Sequence, residues 1–385
     1  MDGTADQPQG NDLARAQKSG IALHGRKHFI SIVDASERHR QQVSDALLSF
    51  YGIEGHADAT NALASLSLNT PSLVIVGDQV GAQAGVRFIK RMREVSVLNQ
   101  VPILFICDKF DSDQINLAMT LGANGHLVKP YRRSVLIKSI SSLLNASVEK
   151  KWDALPESQR LALKGTVEAF NSMSDIIASG EPLPYDDISE SCQPLIEAVS
   201  KQEFKSLLNN VKDHDNYSYA HSLRVATLLS LFGTAAGIKG DDLLTLASGG
   251  LLHDAGKMSI PHDVLNKPGK LDEAEFAIMK SHVPATVSFL HTNPNIPKPV
   301  IDIASQHHEK INGTGYPKGL KGSELNELAR MAAIVDVFSA LTDRRVYKPP
   351  MEPEKAIRIM TDEMTSHLDQ HFLKLFQAML LDATA

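Results

Sequence analysis

Seven residues in the second half of this 385-residue sequence have the chemistry to hold metal ions. Ten of the 15 histidines fall in the last 185 residues. His253 and Asp254 close an apolar helix pattern, LLTLASGGLLHD, and His307 and His308 stand side by side after IDIAS. His221 lies in a helix pattern running from about Asn216 to Ala236. His282 ends the segment DEAEFAIMKSH, and Asp336 sits inside the apolar run ARMAAIVDVFSAL. A lone buried carboxylate costs several kcal/mol unless it is paired or metal-bound, which makes Asp336 a candidate ligand. Imidazoles mixed with carboxylates suit iron, manganese, zinc or other first-row metals. Two cations about 3.5–4 Å apart, bridged by one carboxylate, form the usual hydrolytic pair. Taken singly, the residues read differently. His221 and His282 pass for ordinary surface or core histidines, and the His-Asp dipeptide recurs at His214-Asp215 and His262-Asp263.

The elements that must position these residues are helices. Residues 201–385 carry almost no strand pattern and read as successive amphipathic helices, with loops at HDAGKMSIPHD, NPNIPKP and NGTGYPKG. Residues 26–146 differ. HFISIVD, PSLVIVGD, VPILFICD and GHLVKP are short apolar runs, each followed by a helical pattern, which predicts a doubly wound parallel sheet covered on both faces. Residues 147–200 read as a helical connector with an elbow at EPLPYDD, serving as a dimer helix or packing on their own domain. Residues 1–25 are polar and are expected to be a disordered lead-in.

Net charge is -6 and the pI about 6.2, so a nucleic-acid polymer is not the expected partner. The only cysteines, Cys107 and Cys192, argue against a disulfide framework and for a cytoplasmic setting. Cys107, inside an apolar run, is expected to be a buried structural thiol. The N-terminus lacks an apolar signal segment, and no stretch approaches the roughly 20 apolar residues of a membrane span.

The ordered motifs HSLRVA (221–226), HDAGK (253–257), HHE with GTGYP (307–317) and IVDVFSALTDRRVYK (334–348) resemble the HD-GYP phosphodiesterases, a branch of the all-helical HD superfamily. The resemblance spans residues 201–385. It implies one metal held by His221, His253, Asp254 and Asp336, and a second that shares Asp254 and adds His282, His307 and His308. Tyr217 stands where some members carry the glutamate of a third metal, so two ions are implied: iron or manganese first, with zinc, nickel and cobalt as alternatives. Lys257 and Asp254 would be catalytic, and Tyr316, Arg345 and Lys348 would contact substrate. The implied reaction is hydrolysis of cyclic di-GMP to linear pGpG, and on to GMP or not, with a metal-activated hydroxide as nucleophile. Ser339 replaces an acidic residue of the family pattern, and Val346 replaces a proline. Another cyclic dinucleotide therefore stays open as the substrate, as does a non-enzymatic cyclic di-GMP-binding or adaptor role.

FISIVDASE, PSLVIVGD, PILFICD and LVKP resemble a response-regulator receiver domain. There the phosphoacceptor position aligns with Gly77, and Asp78 is displaced by one, which turns its side chain to the other face. The resemblance thus implies a pseudo-receiver with no phosphoacceptor that binds a protein partner or forms a homodimer. Lys129 is expected to pair with Asp34.

Overall fold

The computed structural model describes residues 28–48, 51–109, 112–265, 267, 269–343 and 351–384. The lead-in over 1–25 and the substrate positions Arg345 and Lys348 lie outside the described residues. The chain divides into two compact units between Leu144 and Asn145.

The first unit is a five-stranded parallel sheet. Its strands are β1 (Phe29–Val33), β2 (Gly52–His56), β3 (Leu73–Gly77), β4 (Ile103–Cys107) and β5 (Gly125–Val128), in the order β2-β1-β3-β4-β5. Alternation along each strand divides the apolar side chains between two cores. Val33, Val74, Val76 and Phe105 pack on one face, and Ile30, Ile32, Ile75 and Ile106 on the other. Helix α1 (Glu37–Leu47) starts where the Ser36 hydroxyl accepts the His39 backbone N–H at 3.2 Å. Strand β2 and helix α2 (Ala59–Leu68) are absent from the sequence pattern. Strand β2 reads GIEGH, pairs only with β1, and has too few apolar residues for an alternation to show. Helices α3 (Gly85–Glu94), α4 (Ser112–Thr120) and α5 (Arg133–Lys151) agree with the expected segments. The two-core sheet and strand order are those of a doubly wound fold.

The second unit is all-helical among its described residues apart from one isolated bridge. The segment expected as a connector forms α6 (Glu157–Ser179), α7 (Tyr185–Ser191) and α8 (Gln193–Ser200), before α9 (Phe204–Val211). These helices pack in one core with α10 (Tyr217–Ala235) and α11 (Gly240–Leu252): Leu163, Phe170, Ile188 and Leu195 share it with Leu223 and Leu251.

The remaining helices are the short α12 (His262–Leu265), then α13 (Glu273–Lys280), α14 (His282–Leu290), α15 (Lys298–Gln306), α16 (Glu327–Thr342), α17 (Pro353–Asp362) and α18 (Gln370–Thr384). Phe376 meets Phe232 at a tilt and Phe338 edge to face, each at a centroid distance of 5.2 Å, and ties α10, α16 and α18 together. Side-chain caps fix the starts of two of the helices, α10 and α16. Asn216 accepts the Tyr219 N–H ahead of α10, and Asn326 accepts the Leu328 N–H ahead of α16. No described helix is long and apolar enough to cross a membrane.

Candidate metal centre

Five helices converge on one buried point. His221 comes from within α10, His253 and Asp254 from just past the end of α11, and His307 and His308 from just past α15. Asp336 lies inside α16. His282 is the first residue of α14 rather than the end of the preceding helix, because α13 stops at Lys280 and the chain turns at Ser281. Pro284 then falls in the first turn of α14, where its missing N–H costs no helical bond. The turn after Asp254 packs directly on that helix start. A Cβ on Gly256 would lie 2.2 Å from the His282 carbonyl oxygen, and the Gly256 N–H donates to the Thr286 hydroxyl at 2.9 Å. The glycine of HDAGK thus lets Asp254 and His282 face each other.

The outer ring nitrogens of four of the five histidines are engaged. Nδ1 of His253 donates to the Gly250 carbonyl at 2.7 Å, that of His282 to Met279 at 2.6 Å, and that of His307 to Ala304 at 3.0 Å. A carbonyl only accepts, so these bonds place the proton on Nδ1 and leave the Nε2 lone pair pointing inward. His221 Nδ1 instead meets the Asp343 carboxylate at 3.2 Å. The inward Nε2 atoms of His253, His282 and His307, with Asp254 Oδ1, are buried and without hydrogen-bond partners. Orphaned buried acceptors in such number call for an ion.

The donor atoms form two groups: Asp254, His282, His307 and His308, and His221, His253 and Asp336, each with its atoms within 4.8 Å of one another. Asp254 faces both. Its Oδ1 lies 3.1 Å from His282 Nε2 and 3.7 Å from His307 Nε2. Its Oδ2 lies 3.2 Å from His253 Nε2 and 3.7 Å from His221 Nε2. His221 Nε2 also donates to Asp336 Oδ1 at 3.0 Å, and His308 Nδ1 lies 3.7 Å from Asp336 Oδ2. The donor set and its orientation fit metal ions, and the Lys257 ammonium bonds Asp254 Oδ2 beside them.

Burial is the largest influence on the ionisation of each group. It pushes Asp254 and Asp336 up, but Lys257 and His253 hold Asp254 well below the usual carboxylate range, and His221 does the same for Asp336. Burial pulls His221 down, yet its bonds to Asp336 and Asp343 hold it at about 9. His308 is lowered by burial to about 4. His307 falls well below its ordinary value through burial and the neighbouring His308 and His253. Neutral His307 and His308 beside two ionised carboxylates are the ligating forms of these groups.

All seven residues expected as ligands are therefore together, with Lys257 against the Asp254 carboxylate. Tyr316 joins them, its ring stacked on His308 at 4.8 Å. Tyr217 stacks on His221 at 5.9 Å. Two further functional residues went unread in the sequence. Asp343 orients His221 and pairs with Arg224 Nε at 3.1 Å. The signal was its place seven residues past Asp336, at the cap where that helix ends. Buried Glu309, of the HHE motif, accepts the backbone N–H groups of Lys318 and Gly319 at 2.6 and 3.1 Å and of Leu320 at 3.1 Å. It thereby shapes the loop that carries Tyr316.

In the first unit, Gly77 ends β3, and a Cβ there would lie 2.1 Å from Asp34 Oδ2. The Asp34 carboxylate thus fills the space a side chain at Gly77 would need. Asp34 Oδ2 pairs with His39 Nδ1 at 2.7 Å, and His39 Nε2 with the Tyr131 hydroxyl at 2.7 Å. Asp78 Oδ2 accepts the Asp108 N–H at 2.6 Å. Lys129 pairs with Asp108 at 2.7 Å and not with Asp34, correcting the expected pair: Asp34 is already held by His39 and the Ser36 N–H. Cys107 is fully buried.

Residues 205–372 match the HD domain family, and residues 30–141 match the response regulator receiver domain. The chain is 39% identical over 171 residues to a cyclic di-GMP phosphodiesterase of Pseudomonas aeruginosa, covering 44% of this chain and 41% of that one. It is 37% identical over 153 residues to the 3'3'-cGAMP-specific phosphodiesterase 3 of Vibrio cholerae, covering 40% and 33%. A longer match, 28% identical over 305 residues, is to the cyclic di-GMP phosphodiesterase response regulator RpfG of Xanthomonas campestris pv. campestris, covering 78% and 73%. The chain thus spans less than half the length of the Pseudomonas and Vibrio relatives.

Proposed function

From a chain that joins a response regulator receiver domain to an HD domain, we propose a metal-dependent phosphodiesterase that hydrolyses cyclic di-GMP to linear pGpG. One observation carries the reading: Asp254 presents one oxygen to each of two donor groups. That is the disposition a carboxylate shared by two cations needs. His221, His253, Asp254 and Asp336 would hold one ion, and Asp254, His282, His307 and His308 the other. Tyr217, stacked on His221 where a third-metal glutamate would stand, supports stopping at two. Imidazole-rich donors with carboxylates favour iron or manganese, with zinc, nickel and cobalt as alternatives.

Bound metals supply Lewis acidity and an activated water. The chain's own residues do the rest. The outer hydrogen bonds of His253, His282 and His307 hold their rings in the ligating tautomer. Lys257, a compact cation beside Asp254, is placed to take up charge on a phosphate oxygen. Tyr316 offers an aromatic face at the rim, and Glu309 fixes its loop. Arg345 and Lys348 are proposed as further phosphate contacts.

A second substrate, 3'3'-cGAMP, is favoured by the similarity to a Vibrio cholerae enzyme specific for it. The receiver domain is proposed to act without phosphorylation, through a protein partner or a second copy, because Asp34 fills the space at Gly77. The two cysteines, both buried and unbridged, fit a reducing, cytoplasmic compartment. Turnover of purified, manganese- or iron-loaded protein on a panel of cyclic dinucleotides tests the reading. Cyclic di-GMP should be the fastest substrate. Tight binding without product, in protein that holds no metal, would sink it.

A further inference from the structure

Beside the metal centre lies an aromatic surface that metal binding does not use. Tyr316 has one ring face on His308. Phe276, on α13, meets Tyr316 edge to face at 6.2 Å, so the ring lies two aromatic contacts from a metal ligand. Phe276 is 45% exposed. An apolar ring that merely packed would gain by burying that area. Helix α13 gives it no such chance, because no residue of the helix is buried. The helix is held in place as a shelf. Asp272 and Glu275 form a reciprocal cap at its start, Glu275 pairs with Lys267 at 2.6 Å, and the next helix begins on the ligand His282. Lys280, one turn along, holds its ammonium 5.1 Å from the Phe276 ring centroid.

A half-exposed aromatic ring, a cation against it and the proposed phosphodiester-cleaving centre next to it are the parts of a nucleotide subsite. Bases stack on aromatic side chains whatever their identity, since every base has a π-face. We propose that Phe276 is the stacking platform for one purine of the cyclic dinucleotide whose phosphate lies at the metal pair, the purine taking the ring face opposite the Lys280 ammonium. The proposal rests on the phosphodiesterase reading. It makes Phe276 a determinant of affinity that serves guanine and adenine alike, so the choice between cyclic di-GMP and 3'3'-cGAMP is made elsewhere.

The test compares wild type, Phe276→Ala and Phe276→Tyr as full-length, metal-loaded proteins. Two substrates are used: cyclic di-GMP and bis(p-nitrophenyl) phosphate, a diester with no purine. Phe276→Ala should raise KM for cyclic di-GMP by about 5- to 100-fold, and Phe276→Tyr should recover most of it. The ratio of dinucleotide to small-ester kcat/KM should fall by the same factor, with metal content unchanged. Equal losses on both substrates, or a KM within twofold of wild type, would overturn the platform. Direct titration of cyclic di-GMP gives the same comparison without turnover. A wild type that binds the dinucleotide through Phe276 but cleaves neither diester would therefore count against the phosphodiesterase reading and not against the platform.

Discussion

The bond between His221 and Asp343 gives a quantitative handle on the metal centre. His221 Nδ1 meets Asp343 Oδ2 at 3.2 Å, while its Nε2 faces Asp336 and Asp254. Asp343 is in turn held by Arg224, and its side chain is 14% exposed, so solvent screens the pair only partly. Removing a partner that orients a ligating histidine costs about 10- to 100-fold in metal affinity. At roughly 1.4 kcal/mol per tenfold, that is about 1.4–2.8 kcal/mol. Asp343→Asn keeps an acceptor for His221 but loses the charge and the Arg224 pair, so its loss should fall near the lower bound. Asp343→Ala also frees the ring to rotate and should fall near the upper bound. The assay is manganese titration by calorimetry on protein stripped with chelator, with thermal unfolding of the stripped variants as the check on folding. If both variants bind manganese within twofold of wild type, the orientation argument fails.

Other outcomes follow from the same geometry. Lys257→Met should lower kcat by about 10²- to 10³-fold while leaving metal content intact, as measured by steady-state kinetics beside elemental analysis. The stripped protein should be most stable near neutral pH in thermal scans. His221, held at about 9 against 6.5, stabilises the folded state below 6.5, and that contribution is lost as pH rises toward 9. His308, lowered to about 4, acts in the opposite sense. The unfolded chain binds protons at this histidine that the folded state refuses, so stability also falls as pH drops from 6.5 toward 4. Stability rising steadily from pH 6.5 to 9 would contradict the His221 assignment. Acyl-phosphate donors should leave the receiver domain unlabelled, and Gly77→Asp should destabilise it through its collision with Asp34. Stable labelling that Asp78→Asn abolishes would refute this.

Five of the seven proposed ligands stand out in sequence because they mark an element boundary or break an apolar run, whereas His221 and His282 pass for ordinary histidines. His253-Asp254 and His307-His308 terminate helices, and Asp336 is the one carboxylate in the run ARMAAIVDVFSAL. What escaped was set by distance rather than by pattern. Asp343 matters only because α16 and α10 pack side by side, and Glu309 only because its loop folds back over it. Residues 147–200 read as a connector because their apolar faces are visible in sequence while the partners of those faces are not. Strand β2 escaped because two of its five residues are glycine. The one-residue slip at Gly77, by contrast, was visible, and the structure gives its consequence: the space belongs to Asp34.

The central claim is that Asp254 joins two cations into one hydrolytic centre. It is tested most directly by elemental analysis and cyclic di-GMP turnover of manganese-loaded wild type and Asp254→Ala, with circular dichroism as the check on folding. The account predicts about two ions per wild-type chain. In the variant it predicts a loss of bound metal together with loss of turnover. An Asp254→Ala protein that retains both ions and full activity would contradict it.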